Sequence, residues 1–149
     1  MFAAPLVLFY PVFLVIFHRT YAMVIVMSAM TSALPVIIQT RLGMLQIPPV
    51  LRAVGHSFNL SRSQQFWLVE LPAAVPAIVT GIRLSIIYSL VSVIGLEFLI
   101  DFGGLGKVIS DLYAQYDIPQ MYAEIGVVVV ISAAILWLLD RVERWLRPA

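Results

Sequence analysis

Apolar positions gather into four runs, residues 2–17, 20–40, 71–96 and 125–139, in which Arg83 is the one charged side chain. A helix needs ~20 largely apolar residues to cross ~30 Å of hydrocarbon, so the middle two runs predict spanning helices directly. The outer two are shorter. The last extends backward through residues 118–123 across the single charge of Glu124, and a somewhat short span can tilt less or thin the bilayer. The first has no basic residue ahead of it and contains Pro5 and Pro11, which reads as a spanning helix rather than a secretory signal. The pattern predicts an all-α, multi-pass membrane helix bundle of about four spans, forming one domain over residues 1–149.

Residues 42–71, between the second and third runs, are too varied in composition for a flexible linker and predict a folded hairpin. Pro48 and Pro49 suit a helix start, where the missing amide costs nothing, and apolar Val50, Leu51, Val54 and Phe58 follow at helical spacing. Asn59 then interrupts, and Asn enters the left-handed region with little penalty. Ser61 or Ser63 can cap a second short helix through Val69, which Pro72 is expected to close before the chain returns to the membrane. Such a knob suits another protein's groove or a bed of lipid headgroups, and the pattern alone does not choose between them.

Composition agrees with a bilayer: 62% of residues are hydrophobic and 11% charged, too little polar surface to solvate a soluble domain. A net charge of +1 gives no reason to expect nucleic acid as a partner. The absence of cysteine excludes disulfides and thiolate metal sites, and His18 and His56 are isolated, so no metal site is expected. Arg41, Arg52 and Arg62 flank or follow the second run and Arg141, Arg144 and Arg147 follow the fourth, against only Arg19 and Lys107 in the other connections. The positive-inside rule then predicts that the hairpin and both termini are cytoplasmic, and that residues 101–120, with Asp101, Asp111 and Asp117, form an external loop. The chain lacks His-Glu-x-x-His, Gly-x-Ser-x-Gly and paired acids at mid-membrane depth, which argues against an intramembrane enzyme. No Lys-Ser/Thr follows Gly103, Gly104 and Gly106, so these read as a tight turn and not a phosphate loop.

The stretch 39–84 resembles, without a gap, the cytoplasmic loop of inner-membrane permeases of binding-protein-dependent ABC importers, notably the nitrate, sulfonate and taurine type. Thr40 and Gly43 match the loop's opening, and Gln64, Phe66, Val69, Leu71, Pro72, Ala74 and Pro76 match its ending. Thr80-Gly81-Ile82-Arg83, Glu97, Gly104-Leu105-Gly106 and the closing Arg141-Val142-Glu143-Arg144-Trp145 continue the likeness downstream. The family's Glu-Ala-Ala triplet falls on Ala53, Val54 and Gly55, and its motif glycine on Asn59. Asn can supply the same left-handed turn, whereas the missing glutamate leaves open how strongly the loop holds a partner. The likeness also begins partway through the family pattern, at a Pro-rich helix matched by Pro5 and Pro11. An incomplete gene product, a mis-assigned start or a partner chain carrying the remaining helices would each account for that.

The resemblance implies a bacterial inner-membrane permease subunit, acting as a homodimer with two ABC ATPase subunits and an external solute-binding protein. ATP would bind the ATPase, with no cofactor in this chain. It implies ATPase contact through Ala53, Val54, Gly55, Phe58, Asn59, Ser61, Arg62 and Phe66, with Pro72 and Pro76 as pivots. Arg83, Ser85, Ser89, Ser92 and Glu97 are candidates for the solute pathway or gate. Each also has a plainer expectation: headgroup contact for Arg83, close helix packing for the serines, and bracing of the Gly103–Gly106 amides for Glu97. The alternative function is a truncated, non-transporting permease or a small membrane scaffold.

Overall fold

The computed structural model describes the backbone of residues 6–146 and the side chains of 7–141 other than His56. Expectations resting on Pro5, on the His56 side chain and on Arg144, Trp145 and Arg147 therefore lie outside what is described. The described chain is helical between short connections: a 3-10 turn Leu6–Phe9 leads into α1 (Tyr10–Phe17), followed by α2 (Tyr21–Leu45), α3 (Pro49–Ser57) and α4 (Arg62–Gln65). A π-helical turn, Phe66–Glu70, runs on into α5 (Leu71–Ile100), and α6 (Gly104–Ala114) and α7 (Ile118–Leu146) complete the order.

Among the described residues three helices are long and apolar enough to cross a bilayer: Tyr21–Leu45, Arg62–Ile100 and Ile118–Arg141, with mean hydropathies of 2.0, 2.0 and 2.2. The last confirms that the short fourth run lengthens backward across Glu124. The first run forms a shorter apolar helix, Val7–Phe17, less than the ~20 residues of a full span, so the described residues hold three span-length helices where the pattern predicted about four. Exposed apolar side chains along all three are what a lipid-solvated bundle presents.

The chain divides into two compact units, one of residues 33–85 and one of residues 1–32 with 86–149. In the second, Met23, Val24 and Met27 of α2 bury against Leu96 and Ile100 of α5, and Tyr10, Phe13, Leu14 and Phe17 of the α1 region pack onto that core. Arg19, just after α1, donates to the carbonyl oxygens of Ile100 and Asp101, capping the C-terminus of α5 where unsatisfied carbonyls favour a cation. Asp101 itself takes φ 51° as it ends the helix.

In the unit 33–85, small residues let α2 and α5 approach closely. A Cβ on Gly43 would stand 2.5 Å from Cβ of Ala77, and one on Gly81 would stand 2.9 Å from Cβ of Gln39 and 3.1 Å from Cα of Val36. Larger side chains there would force the helices apart.

Two segments depart from the sequence expectation. Pro72 does not close the hairpin's second helix: helix runs from Arg62 to Ile100 without a break. The π turn explains this, because the Leu71 amide donates to the Phe66 carbonyl five residues back, and this wider turn accommodates a proline whose ring would crowd the carbonyl of Leu68 in a regular α-helix. Residues 101–120, expected as a loop, contain the eleven-residue helix α6.

Candidate coupling hairpin

The hairpin between α2 and α5 is built by local rules at each corner. Pro49 opens α3, with the Leu51 amide donating to the Pro48 carbonyl at 3.0 Å. At the far end Asn59 takes φ 51°, and the Leu60 amide reaches back to the Gly55 carbonyl at 3.2 Å, the bond of a Schellman-type stop. Ser61, with extended backbone, then starts α4 through a reciprocal pair: its hydroxyl accepts from the Gln64 amide at 3.3 Å, and the Gln64 side-chain oxygen accepts from the Ser61 amide at 2.9 Å.

Longer-range contacts lock the two arms together. Gln65 is buried, and its Nε2 donates to the Arg52 carbonyl at 3.3 Å. Its side chain fills the space beside Gly55, where a Cβ would fall 1.8 Å from Oε1. Arg52 ties the hairpin to its roots: Nε pairs with Oε1 of Glu70 at 3.2 Å, and Nη2 donates to the Met44 carbonyl at 3.0 Å.

What this frame presents outward is apolar. Val50 is 70% exposed, Phe58 74%, and Val54 is exposed between them, all outside the three span-length helices. Exposed Trp67 and Leu68 belong to the Arg62–Ile100 helix, whereas this patch lies outside all three span-length helices. Asn59, Ser61, Arg62 and Ala53 are also exposed, as is Phe66, whose ring meets Trp67 edge-on at 5.4 Å. Gly55, expected as a contact residue, is buried, with the Gln65 side chain in the space beside it. Arg52, Gln65 and Glu70 were missed from sequence, because their pairing crosses the turn and leaves no local periodicity.

The pathway candidates fall in different surroundings. Arg83 and Ser85 are partly buried in the unit 33–85. In the other unit Ser89 is partly buried, Ser92 is fully buried, and Glu97 accepts the Gly106 amide at 3.1 Å. Gly95 lines a crevice of about 360 Å³ between α5 and α7, with Ile87, Leu90, Val91 and Ile94 on one side and Val128, Ser132 and Leu136 on the other. None of the five candidates lines it, and Ser132 supplies its one hydroxyl. Pro76 lies inside α5, and its carbonyl accepts the Thr80 hydroxyl at 3.0 Å.

Comparison with known proteins agrees with this architecture. Residues 1–148 match the family described as binding-protein-dependent transport system inner membrane component. The chain is 35% identical over 111 residues to the nitrate import permease protein NrtB of Synechocystis, covering 74% of this chain and 39% of that protein. It is 33% identical over 138 residues to the bicarbonate transport system permease protein CmpB of Synechococcus elongatus, covering 92% and 48%. To the osmoprotectant import permease protein OsmW of Salmonella typhimurium it is 29% identical over 117 residues, covering 78% and 54%. The chain thus spans about half or less of the length of these curated relatives. With its apolar helices and a match over nearly its whole length, the chain belongs to the family of inner-membrane permease components of binding-protein-dependent ABC importers.

Proposed function

We propose that this chain forms the membrane-embedded portion of an ATP-driven importer, with residues 42–71 as the cytoplasmic hairpin that an ABC ATPase subunit grips. The observation that carries the reading is the apolar patch of Val50, Val54 and Phe58, exposed outside the spans on a frame that Arg52, Gln65 and the Ser61 cap hold together. Phe58 would enter a groove of the ATPase, with Ala53, Asn59, Ser61, Arg62 and Phe66 around it. Closure of two ATPase subunits on ATP would pull the hairpins of two permease copies, and Pro72 and Pro76 would pass that movement into α5.

An external binding protein would deliver solute to the face opposite the hairpin. Relatives named for nitrate and for bicarbonate favour a small oxyanion, with sulfonates and taurine as chemically related candidates. Arg83, the only charge within the third apolar run, would offer such an anion a counter-charge, and Ser85, Ser89 and Ser92 hydroxyl donors. Glu97 would hold the start of α6 through the Gly106 amide. Copurification of the tagged chain from native membranes tests the proposal: an ATPase subunit in the eluate supports it. Recovery of the chain alone, where the ATPase is demonstrably present, favours a non-transporting permease remnant or scaffold.

A further inference from the structure

Four exposed tyrosines lie at or near helix ends in the unit containing α6, a placement the importer reading does not require. Tyr21 opens α2, Tyr113 and Tyr116 lie at the end of α6 and just beyond it, and Tyr122 lies early in α7. They are 71%, 59%, 85% and 66% exposed. Two are held where α5 passes into α6: the Tyr21 ring meets Phe102 edge-on at 4.8 Å, and the Tyr113 ring lies 6.4 Å from that of Phe98. If each span-length helix crosses once, the start of α2, the end of α5 and the start of α7 share one side of the membrane.

α6 is two-faced. Its inner side is fixed to α5, because a Cβ on Gly106 would fall 2.3 Å from the Ile94 carbonyl oxygen and the Gly106 amide donates to Glu97. Val108 and Tyr113 are exposed at the two edges of an apolar side that has Leu105, Ile109 and Leu112 between them, whereas exposed Ala114 shares the polar side with Lys107 and Asp111. The two charged residues of the helix are already engaged: Lys107 pairs with Asp111 at 3.3 Å and with Asp101 at 2.7 Å. Neither charge therefore has to be stripped of its partner where the helix meets lipid. Tyrosine rings, apolar in body with a polar tip, concentrate at the membrane–water boundary, and an amphipathic helix lies in its plane.

We infer that α6 is an interfacial helix, seated in the phospholipid headgroup layer by Val108, Tyr113 and Tyr116 at the level marked by Tyr21 and Tyr122. The occupant of its apolar side is the bilayer, continuous with the ends of α2 and α7.

The chain contains no cysteine, so single cysteines can carry a nitroxide label without background. Val108→Cys and Ala114→Cys, which keep every tyrosine, would be labelled in the full chain reconstituted into phosphatidylcholine vesicles, with exposed Val129→Cys as the bilayer-core reference. Collision with oxygen and with a water-soluble nickel chelate reads depth. The label at 108 is expected between the Val129 label and a free nitroxide in buffer and deeper than the label at 114 on the polar side, and Y113A with Y116A is expected to move the 108 label toward buffer. A label at 108 as accessible to nickel as the free nitroxide, or no deeper than the label at 114, overturns the inference, as does one shielded like that at 129.

Discussion

Gly55 and Gln65 occupy one space, for a Cβ on Gly55 would stand 1.8 Å from the Gln65 side-chain oxygen. The contact joins the two arms of the hairpin at the position that resembles an alanine of the family triplet.

The same substitution is predicted to have opposite weight at two glycines. In Gly55→Ala the obstacle is the end of a flexible side chain, so Gln65 turns aside and loses its bond to the Arg52 carbonyl, a loss of about 1 kcal/mol. Alanine's helix propensity returns about 0.8–1.0 kcal/mol, and net stability stays nearly unchanged. In Gly106→Ala the obstacles include the Ile94 carbonyl at 2.3 Å and the Phe98 amide nitrogen at 2.8 Å, backbone that cannot turn aside. A loss of about 2–3 kcal/mol is expected. Reversible unfolding in mixed micelles, followed by circular dichroism, measures both; equal losses would contradict the account.

Asn59 holds a left-handed conformation at φ 51°. Asn59→Gly should leave the hairpin within a few tenths of a kcal/mol, whereas Asn59→Val should cost about 1–2 kcal/mol, the left-handed penalty of a residue with a bulky Cβ. Protease susceptibility of residues 55–62 in detergent micelles would register the difference.

Much of the hairpin was readable because its corners are chemical and local. Asn59 at the turn and Ser61 at the cap act on amides within a few residues, and the apolar spacing of Val50, Val54 and Phe58 shows in the sequence itself. The locks were not readable: Arg52 with Glu70, Gln65 with Gly55, and Arg19 with the carbonyl of Ile100 join positions that no short-range periodicity relates. Pro72 misled for a physical reason, since a proline ordinarily stops a helix and the widened π turn that admits it has no sequence signature. α6 was hidden because its glycines read as a turn, and Gly103 and Gly104 do take positive φ where the helix begins.

Arg52 braces the hairpin where the family triplet's glutamate is absent. Its pair with Glu70 is half exposed and is expected to contribute about 0.2–1 kcal/mol, with more from the Met44 carbonyl bond. A double-mutant cycle of Arg52→Ala and Glu70→Ala, read by unfolding in micelles, should give a coupling in that range that shrinks in high salt. Strict additivity would remove the brace from the account.

The Asp101–Lys107 pair sets a pH dependence with two limbs. The Lys107 hydrogen bond holds the Asp101 carboxyl below its ordinary range, and the Asp101 hydrogen bond lifts the Lys107 ammonium above its own. For Asp101 the folded value is depressed, so its stabilisation is complete above the unfolded value and is lost as pH falls through the folded one. For Lys107 the folded value is raised, so its contribution is complete below the unfolded value and is lost as pH rises through the folded one. Both groups are solvent-exposed, so the limbs should be shallow and salt-sensitive, with a plateau between them. Asp101→Asn should flatten the acid limb of the unfolding midpoint; an unchanged limb would mean the pair does not govern it.

The most direct measurement is a photo-crosslink from Ser61, placed by its cap at the exposed tip of the hairpin. With a photoreactive side chain there, the full chain expressed in its native membrane should yield one adduct with the ABC ATPase subunit, changing in intensity when ATP replaces ADP. Adducts to lipid alone in every nucleotide state, with the ATPase present, would contradict the central claim that this hairpin is the site of coupling.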